Sequence, residues 1–170
     1  MSVRPAAAAD VPMLARLHIA AWRETYAGLL PEHDIVRASQ PTARQVQWAR
    51  TLANPRIRTV VLDDLGFACI GPQRDPARVP AFPDELFSLY LLQIGQGRGH
   101  GKALLRAALG PSPQPLTATT LATNARACAF YSGLGGRWVD TVADRIGATD
   151  VTEHVYGWDT PQSLLGHPLP

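Results

Sequence analysis

The chain has 170 residues, 46% hydrophobic and 18% charged, enough apolar material for one packed core but not for a second domain of ordinary size. Sixteen Lys+Arg against fourteen Asp+Glu leave a net charge of +2, too slim and scattered an excess to support nucleic-acid binding. The same balance excludes intrinsic disorder, and no window approaches the roughly eighteen apolar residues of a membrane span.

In chain order, a short strand near Val3 precedes Asp10 and Pro12, a cap and a first-turn proline that open a helix over Val11–Ala21. Trp22–Pro31 reads as a separate short helix broken by Gly28 and Pro31, and Arg44–Ala53 as another with Val46 and Leu52 turned inward. Arg58–Leu62, the Asp63-Asp64 turn and Gly66–Ile70 form a hairpin. Four prolines between Gly71 and Asp84 (Pro72, Pro76, Pro80 and Pro83) require a loop. Glu85–Leu92 is nearly continuous apolar sequence, the pattern of a strand buried on both faces. After the Gln96–Lys102 glycine loop comes a helix stopped by Gly110 and Pro111. Leu116–Leu121 reads as a strand, Asn124 as a cap, Ala125–Leu134 as a helix, and Arg137–Val142 and Glu153–Trp158 as closing strands. The resulting order is a mixed α/β domain.

Cys69 and Cys128 lie far apart without metal-ligand spacing, and His18, His33, His100, His154 and His167 show no paired spacing. No metal and no disulfide framework are therefore expected, and the chain reads as an untargeted cytoplasmic protein with reduced thiols.

The chemistry concentrates in Gln96-Gly97-Arg98-Gly99-His100-Gly101-Lys102. Three alternate glycines that open a helix present bare amides at the positive end of its dipole, an arrangement suited to pyrophosphate. The nucleoside-triphosphate pattern GxxxxGK[ST] fails, because Gln96 stands where its first Gly is required and Ala103 replaces Ser/Thr. The dinucleotide pattern GxGxxG fails at Lys102. What remains is Q-x-x-G-x-G after a strand, followed about thirty residues later by Asn124-Ala-Arg-Ala-Cys-Ala-Phe130-Tyr131-Ser-Gly-Leu-Gly135.

These two blocks resemble the acetyl-CoA motif and the N-x-x-A-x-x-F-Y helix of the GNAT N-acetyltransferase family, and the likeness runs from Val3 to about Trp158. It implies the acyl-CoA N-acyltransferase fold, a mixed, mostly antiparallel central sheet flanked by helices, as one domain over 1–160 with a tail at 161–170. It also implies acetyl-CoA as co-substrate and direct attack by a primary amine of a small molecule, peptide terminus or lysine. Gly97–Lys102, with Arg98 and His100, would hold the pyrophosphate, while backbone groups of Tyr90, Leu91 and Leu92 would hold the pantetheine arm. An amide near Leu91 or Leu92 would act as the oxyanion donor. Asn124 and Phe130 would border the cofactor, Tyr131 would be the general acid and Glu85 the base. Trp22, Glu24 and Tyr26 would line the acceptor pocket. The sequence departs from the family at Gln93, where relatives carry Pro, and at Gly135-Gly136, where an aromatic is usual and a gap near the thioester is expected.

Structural roles stay open beside these functional ones. Tyr131 could only pack on Phe130, Glu85 could be a solvated strand end, Asn124 could only cap, and Trp22 with Tyr26 could be a core pair. A silent acyl-CoA-binding sensor or subunit is the rival function, and a longer acyl group a further variant. No nucleic-acid or membrane partner is expected, and a homodimer contact through an exposed Trp158 and the 161–170 tail stays open.

Overall fold

The computed structural model describes residues 2–165, and its helices begin and end where backbone chemistry dictates. Pro12 lies in the first turn of α1 (Val11–Tyr26) and Pro41 opens α3 (Pro41–Ala53), where a missing amide proton leaves no bond unmade. Gly99 at φ +79° caps α4 (His100–Leu109), and Gly110 at φ +71° ends it. Asn124 Oδ1 accepts from the Ala127 amide at 3.1 Å and so starts α5 (Ala125–Gly133). The remaining helix, α2 (Glu32–Ala38), is a short one with Glu32 and Asp34 in its first turn.

The strands are β1 (Val3–Pro5), β2 (Arg58–Leu62), β3 (Gly66–Pro72), β4 (Asp84–Leu91), β5 (Leu116–Leu121), β6 (Arg137–Ile146) and β7 (Thr149–Trp158). They form one sheet in the order β1-β2-β3-β4-β5-β7-β6. Every pairing is antiparallel except β4 with β5, which holds only from Asp84–Leu86 against Leu116–Ala118. Beyond Leu86 and Ala118 the two strands diverge, leaving a fork in the middle of the sheet.

Side chains alternate across the sheet, so neighbours such as Val60 and Val61 enter different cores. One face packs Leu104, Leu105 and Ala108 of α4 and Tyr131 of α5 over Ile70, Leu116 and Trp158. The other packs Leu14 and Leu17 of α1 and Trp48 of α3 on Val61 and Phe67. Each leucine fully removed from water contributes roughly 1.5–3 kcal/mol. A third cluster of Leu30, Ile35 and Leu121, with Trp22 and Tyr26, lies beneath the end of α1 and α2.

Several expectations change. Trp22–Tyr26 is the last part of α1, because nothing between Ala21 and Tyr26 breaks a helix until Gly28 takes φ +78°. Val46 is 46% exposed, and Trp48 is the inward residue of α3. Strand β4 is fully buried only at Glu85 and Leu86 and half-buried along the fork, where its neighbour departs. The closing strands run on to Ile146 and back from Thr149; β6 is an edge strand studded with charge, which masks its alternation. Trp158 is 3% exposed, so it is no free surface. The core continues past residue 160, since Pro161 and Leu164 of a 3-10 turn are buried. Residues 166–170 of the expected tail, and His167 with them, lie outside the described residues. Among the described residues no helix is long and apolar enough to cross a membrane.

Candidate active site

A cleft of about 1000 Å³ opens along the fork. Its walls are β4 from Leu89 to Leu91, the glycine loop, and the first two turns of α5. Of the residues expected to meet the cofactor, Tyr90, Leu91, Gln96, Gly97, Gly99, His100, Gly101, Lys102, Asn124, Phe130 and Tyr131 line it. Leu92 and Arg98 do not, and Arg98 is exposed on the outside of the loop.

The loop geometry follows from its glycines. Gly97 and Gly99 adopt φ +74° and +79°, a conformation that costs a residue with Cβ about 1–2 kcal/mol. A Cβ on Gly101 would stand 3.3 Å from the Phe130 ring, so this glycine lets α4 and α5 close on the cleft. The amides of His100, Gly101 and Lys102 have no partner within α4, as at any helix start, and the dipole of α4 adds positive potential there. His100 Nδ1 lies 3.0 Å from the Gly95 carbonyl and braces the loop from within.

Strand alternation decides which backbone groups face the fork. The Leu92 amide donates to the Leu65 carbonyl at 2.9 Å, toward β3. Amides in an extended strand point alternately to either side, so those of Leu91 and Leu89 point to the fork. Leu92 is thereby removed as an oxyanion donor and Leu91 retained. The Leu91 carbonyl on the same edge accepts from Gln96 Nε2 at 2.8 Å, while Gln96 Oε1 accepts from Arg126. Gln96 thus ties the end of β4 to α5 across the cleft.

Tyr131 lies at the buried end of the cleft, packed against Phe130, Tyr156 and Trp158 with ring centroids 5.5–5.8 Å away. Burial drives its phenol well above the usual range, so it stays protonated. Two further phenols meet nearby: the Tyr26 and Tyr90 hydroxyls are 3.2 Å apart, and burial raises both. His18, beneath Tyr90 and among Trp22, Trp48 and Phe67, is kept neutral, its pKa lowered to about 3 by desolvation and then by Arg44.

Four expected side chains are committed elsewhere. Glu85 lies outside the cleft lining and is held by Arg74, which donates from its amide at 3.1 Å, from Nε at 3.0 Å and from Nη2 at 2.5 Å. Glu24 Oε2 accepts the Gln93 amide at 2.7 Å and so clamps α1 to the turn after β4. A proline at 93 would lack that proton, which accounts for the departure there. Trp22 and Tyr26 pack on each other at 4.3 Å within the third cluster. The gap expected at Gly135-Gly136 is filled, since the Trp158 ring would lie 2.7 Å from a Cβ on Gly136. Sequence reasoning missed Thr25, Leu89, Gln93, Arg126 and Ala127 of the cleft. Arg126, two residues after the Asn124 cap, had a signal, because the first turn of α5 must face the loop it follows.

On the sheet face opposite α4, the third cluster packs beneath the ends of α1 and α2. Beside it Asp34, 1% exposed, accepts from the Ala148 amide at 2.9 Å and Thr149 Oγ1 at 2.6 Å. These bonds pin the β6–β7 turn to α2 and hold the Asp34 carboxyl below its usual pKa.

The sequence profile of the Acetyltransferase (GNAT) family matches residues 17–135. The chain is 30% identical over 107 residues to the uncharacterized N-acetyltransferase YuaI of Bacillus subtilis, a match covering 62% of this chain and 60% of that relative's length. In three dimensions it is similar to the PaiA N-acetyltransferase of Thermoplasma acidophilum, solved in complex with coenzyme A (TM-score 0.67, 19% identity, 90% of this chain and 98% of that one). It is likewise similar to yncA of Salmonella typhimurium, solved with acetyl-CoA (TM-score 0.69, 18% identity, 100% of this chain and 97% of that one). At these identities the structural likeness speaks to the fold.

Proposed function

The chain belongs to the Acetyltransferase (GNAT) family, and from that premise we propose that it moves an acetyl group from acetyl-CoA to a primary amine within a ternary complex. The observation that carries this reading is the continuity of the cleft, which runs from the α4 amides, along the free edge of β4, to the Tyr131 phenol. Each portion suits one part of the co-substrate. The loop amides and the α4 dipole take the pyrophosphate, with Lys102 and Arg126 adding charge. The pantetheine amides pair with the Leu89 and Leu91 edge as a strand would. The two relatives solved with coenzyme A and acetyl-CoA support this choice of ligand.

In the reaction, the amine lone pair forms a bond to the thioester carbonyl carbon, and the Leu91 amide stabilises the developing oxyanion. The carbon–sulfur bond then breaks, and the departing thiolate takes the Tyr131 proton. Burial keeps that proton in place until the sulfur needs it. Direct attack requires no covalent enzyme intermediate.

Calorimetric titration with acetyl-CoA, using ATP and NAD as controls, tests the cleft. Binding of acetyl-CoA and CoA alone is expected, and Gly99→Glu should abolish it, because a carboxylate and a Cβ at φ +79° both oppose the bound pyrophosphate. Binding of ATP or NAD in place of acetyl-CoA would overturn the reading. Tyr131→Phe should leave acetyl-CoA affinity intact and lower kcat for amine acetylation by roughly 100-fold. Undiminished turnover would reduce Tyr131 to a packing residue.

A further inference from the structure

We propose that a bridge between Gln96 and Arg126 makes the cleft select thioesters that carry a pyrophosphate over those that end at pantetheine, an inference that rests on the transferase reading. Gln96 Nε2 donates to the Leu91 carbonyl at 2.8 Å, and Gln96 Oε1 accepts from Arg126 Nη1. Both side chains line the cleft, Gln96 from the loop before α4 and Arg126 from the first turn of α5. The bridge therefore crosses the path between the glycine loop and the free edge of β4.

Its bonds occupy the groups that a ligand needs. The Leu91 carbonyl faces the fork, because the neighbouring Leu92 amide donates to Leu65 of β3. The Gln96 carboxamide thus stands where a pantetheine amide would pair, and it must leave before the arm can lie there. Arg126 is exposed, and among the described residues its guanidinium bonds to no carboxylate, only to the neutral Gln96 oxygen. Gln96 immediately precedes the glycine loop, so a pyrophosphate on the loop amides offers Arg126 an anionic partner close at hand. A bond between two ions is stronger than one between a cation and a neutral amide, and it draws the guanidinium off Gln96. A second cavity of about 140 Å³, lined by Glu24, Thr25 and Gln93 besides Gln96, Asn124 and Arg126, adjoins the cleft at the bridge. It gives the displaced carboxamide space and polar partners.

A thioester with a pyrophosphate breaks the bridge and replaces both of its bonds, the one to Leu91 with a pantetheine amide and the one to Arg126 with a phosphate. A thioester without phosphate replaces only the first and leaves Arg126 facing water. The bridge lowers the affinity of every pantetheine ligand by the fraction of the free protein in which the cleft is open. Only a ligand with phosphate recovers that loss.

The test measures calorimetric affinities for acetyl-CoA and for S-acetylpantetheine, which lacks the phosphates, titrated to about 10 mM. Gln96→Ala removes the bridge and keeps Arg126, and is expected to bind both ligands roughly 3- to 10-fold more tightly than the wild type. Arg126→Ala removes the bridge together with the phosphate partner. It is expected to bind acetyl-CoA roughly 10-fold less tightly and S-acetylpantetheine roughly 3-fold more tightly. The double variant should gain no more with S-acetylpantetheine than Gln96→Ala does, because the same bridge is lost. A loss with either ligand in Gln96→Ala, or no gain with S-acetylpantetheine in Arg126→Ala, would overturn the proposal and leave the transferase reading standing. A wild-type protein that binds no acetyl-CoA would overturn the transferase reading, and the proposal with it.

Discussion

His18 shows what a single titratable residue costs when it is buried. It is 5% exposed, its Nδ1 has no partner, and five aromatic and cationic side chains surround it: Trp22, Trp48, Phe67, Tyr90 and, through its charge, Arg44. Its folded pKa of about 3 lies below the unfolded value of 6.5, so the unfolded chain binds the extra proton. The stability it permits is complete above pH 6.5 and is lost as pH falls toward 3. Denaturant unfolding should therefore show a loss on the order of 2 kcal/mol between pH 7.5 and pH 5 from this residue. His18→Leu should flatten that dependence, and an unchanged slope would place the acid sensitivity elsewhere.

At the scale of elements, the end of α5 and the start of β6 depend on one missing side chain. A Cβ on Gly136 would stand 2.7 Å from the Trp158 ring and 2.8 Å from the Tyr131 carbonyl, and Trp158 Nε1 donates to Leu134 at 3.1 Å. Ring and backbone cannot both retreat, so Gly136→Ala should cost about 1–3 kcal/mol by thermal or chemical unfolding. The same variant should weaken catalysis more than acetyl-CoA binding, because the disturbed carbonyl belongs to Tyr131. Helix boundaries set by Pro12, Pro41, Gly99, Gly110 and Asn124 were legible in the sequence, since each acts through its own backbone or its immediate neighbours. The union of Trp22–Tyr26 with α1 and the length of β6 were not, because a polar stretch carries no sign of whether its neighbours continue.

Across the whole molecule, the site exists because β4 and β5 part after three paired residues while the rest of the sheet stays closed. The two layers of helices hold the fork open from opposite faces, with α1–α3 on one side and α4–α5 on the other. The core that supports it reaches Leu164, 4% exposed, and the Arg106 Nε bond to the Leu164 carbonyl at 2.6 Å secures the back of α4. Leu164→Ala should cost about 2–5 kcal/mol, read as a lower melting temperature, and loosen the helix that carries the glycine loop. A melting temperature unchanged by the substitution would make the segment after Asp159 dispensable.

The sequence by itself determined that a glycine loop opens a helix after an apolar strand, that an Asn-capped helix carrying Phe130 and Tyr131 follows, and that the family is the Acetyltransferase (GNAT) family. Those features are local, written in backbone conformations that only certain residues adopt. Only the tertiary structure decided that Leu91 rather than Leu92 offers its amide to the fork, that Arg74 holds Glu85, and that Gln93 holds Glu24. Each of these is settled by a partner distant in the chain. A carboxylate carries no mark of whether a guanidinium or an amide will face it once the sheet has closed.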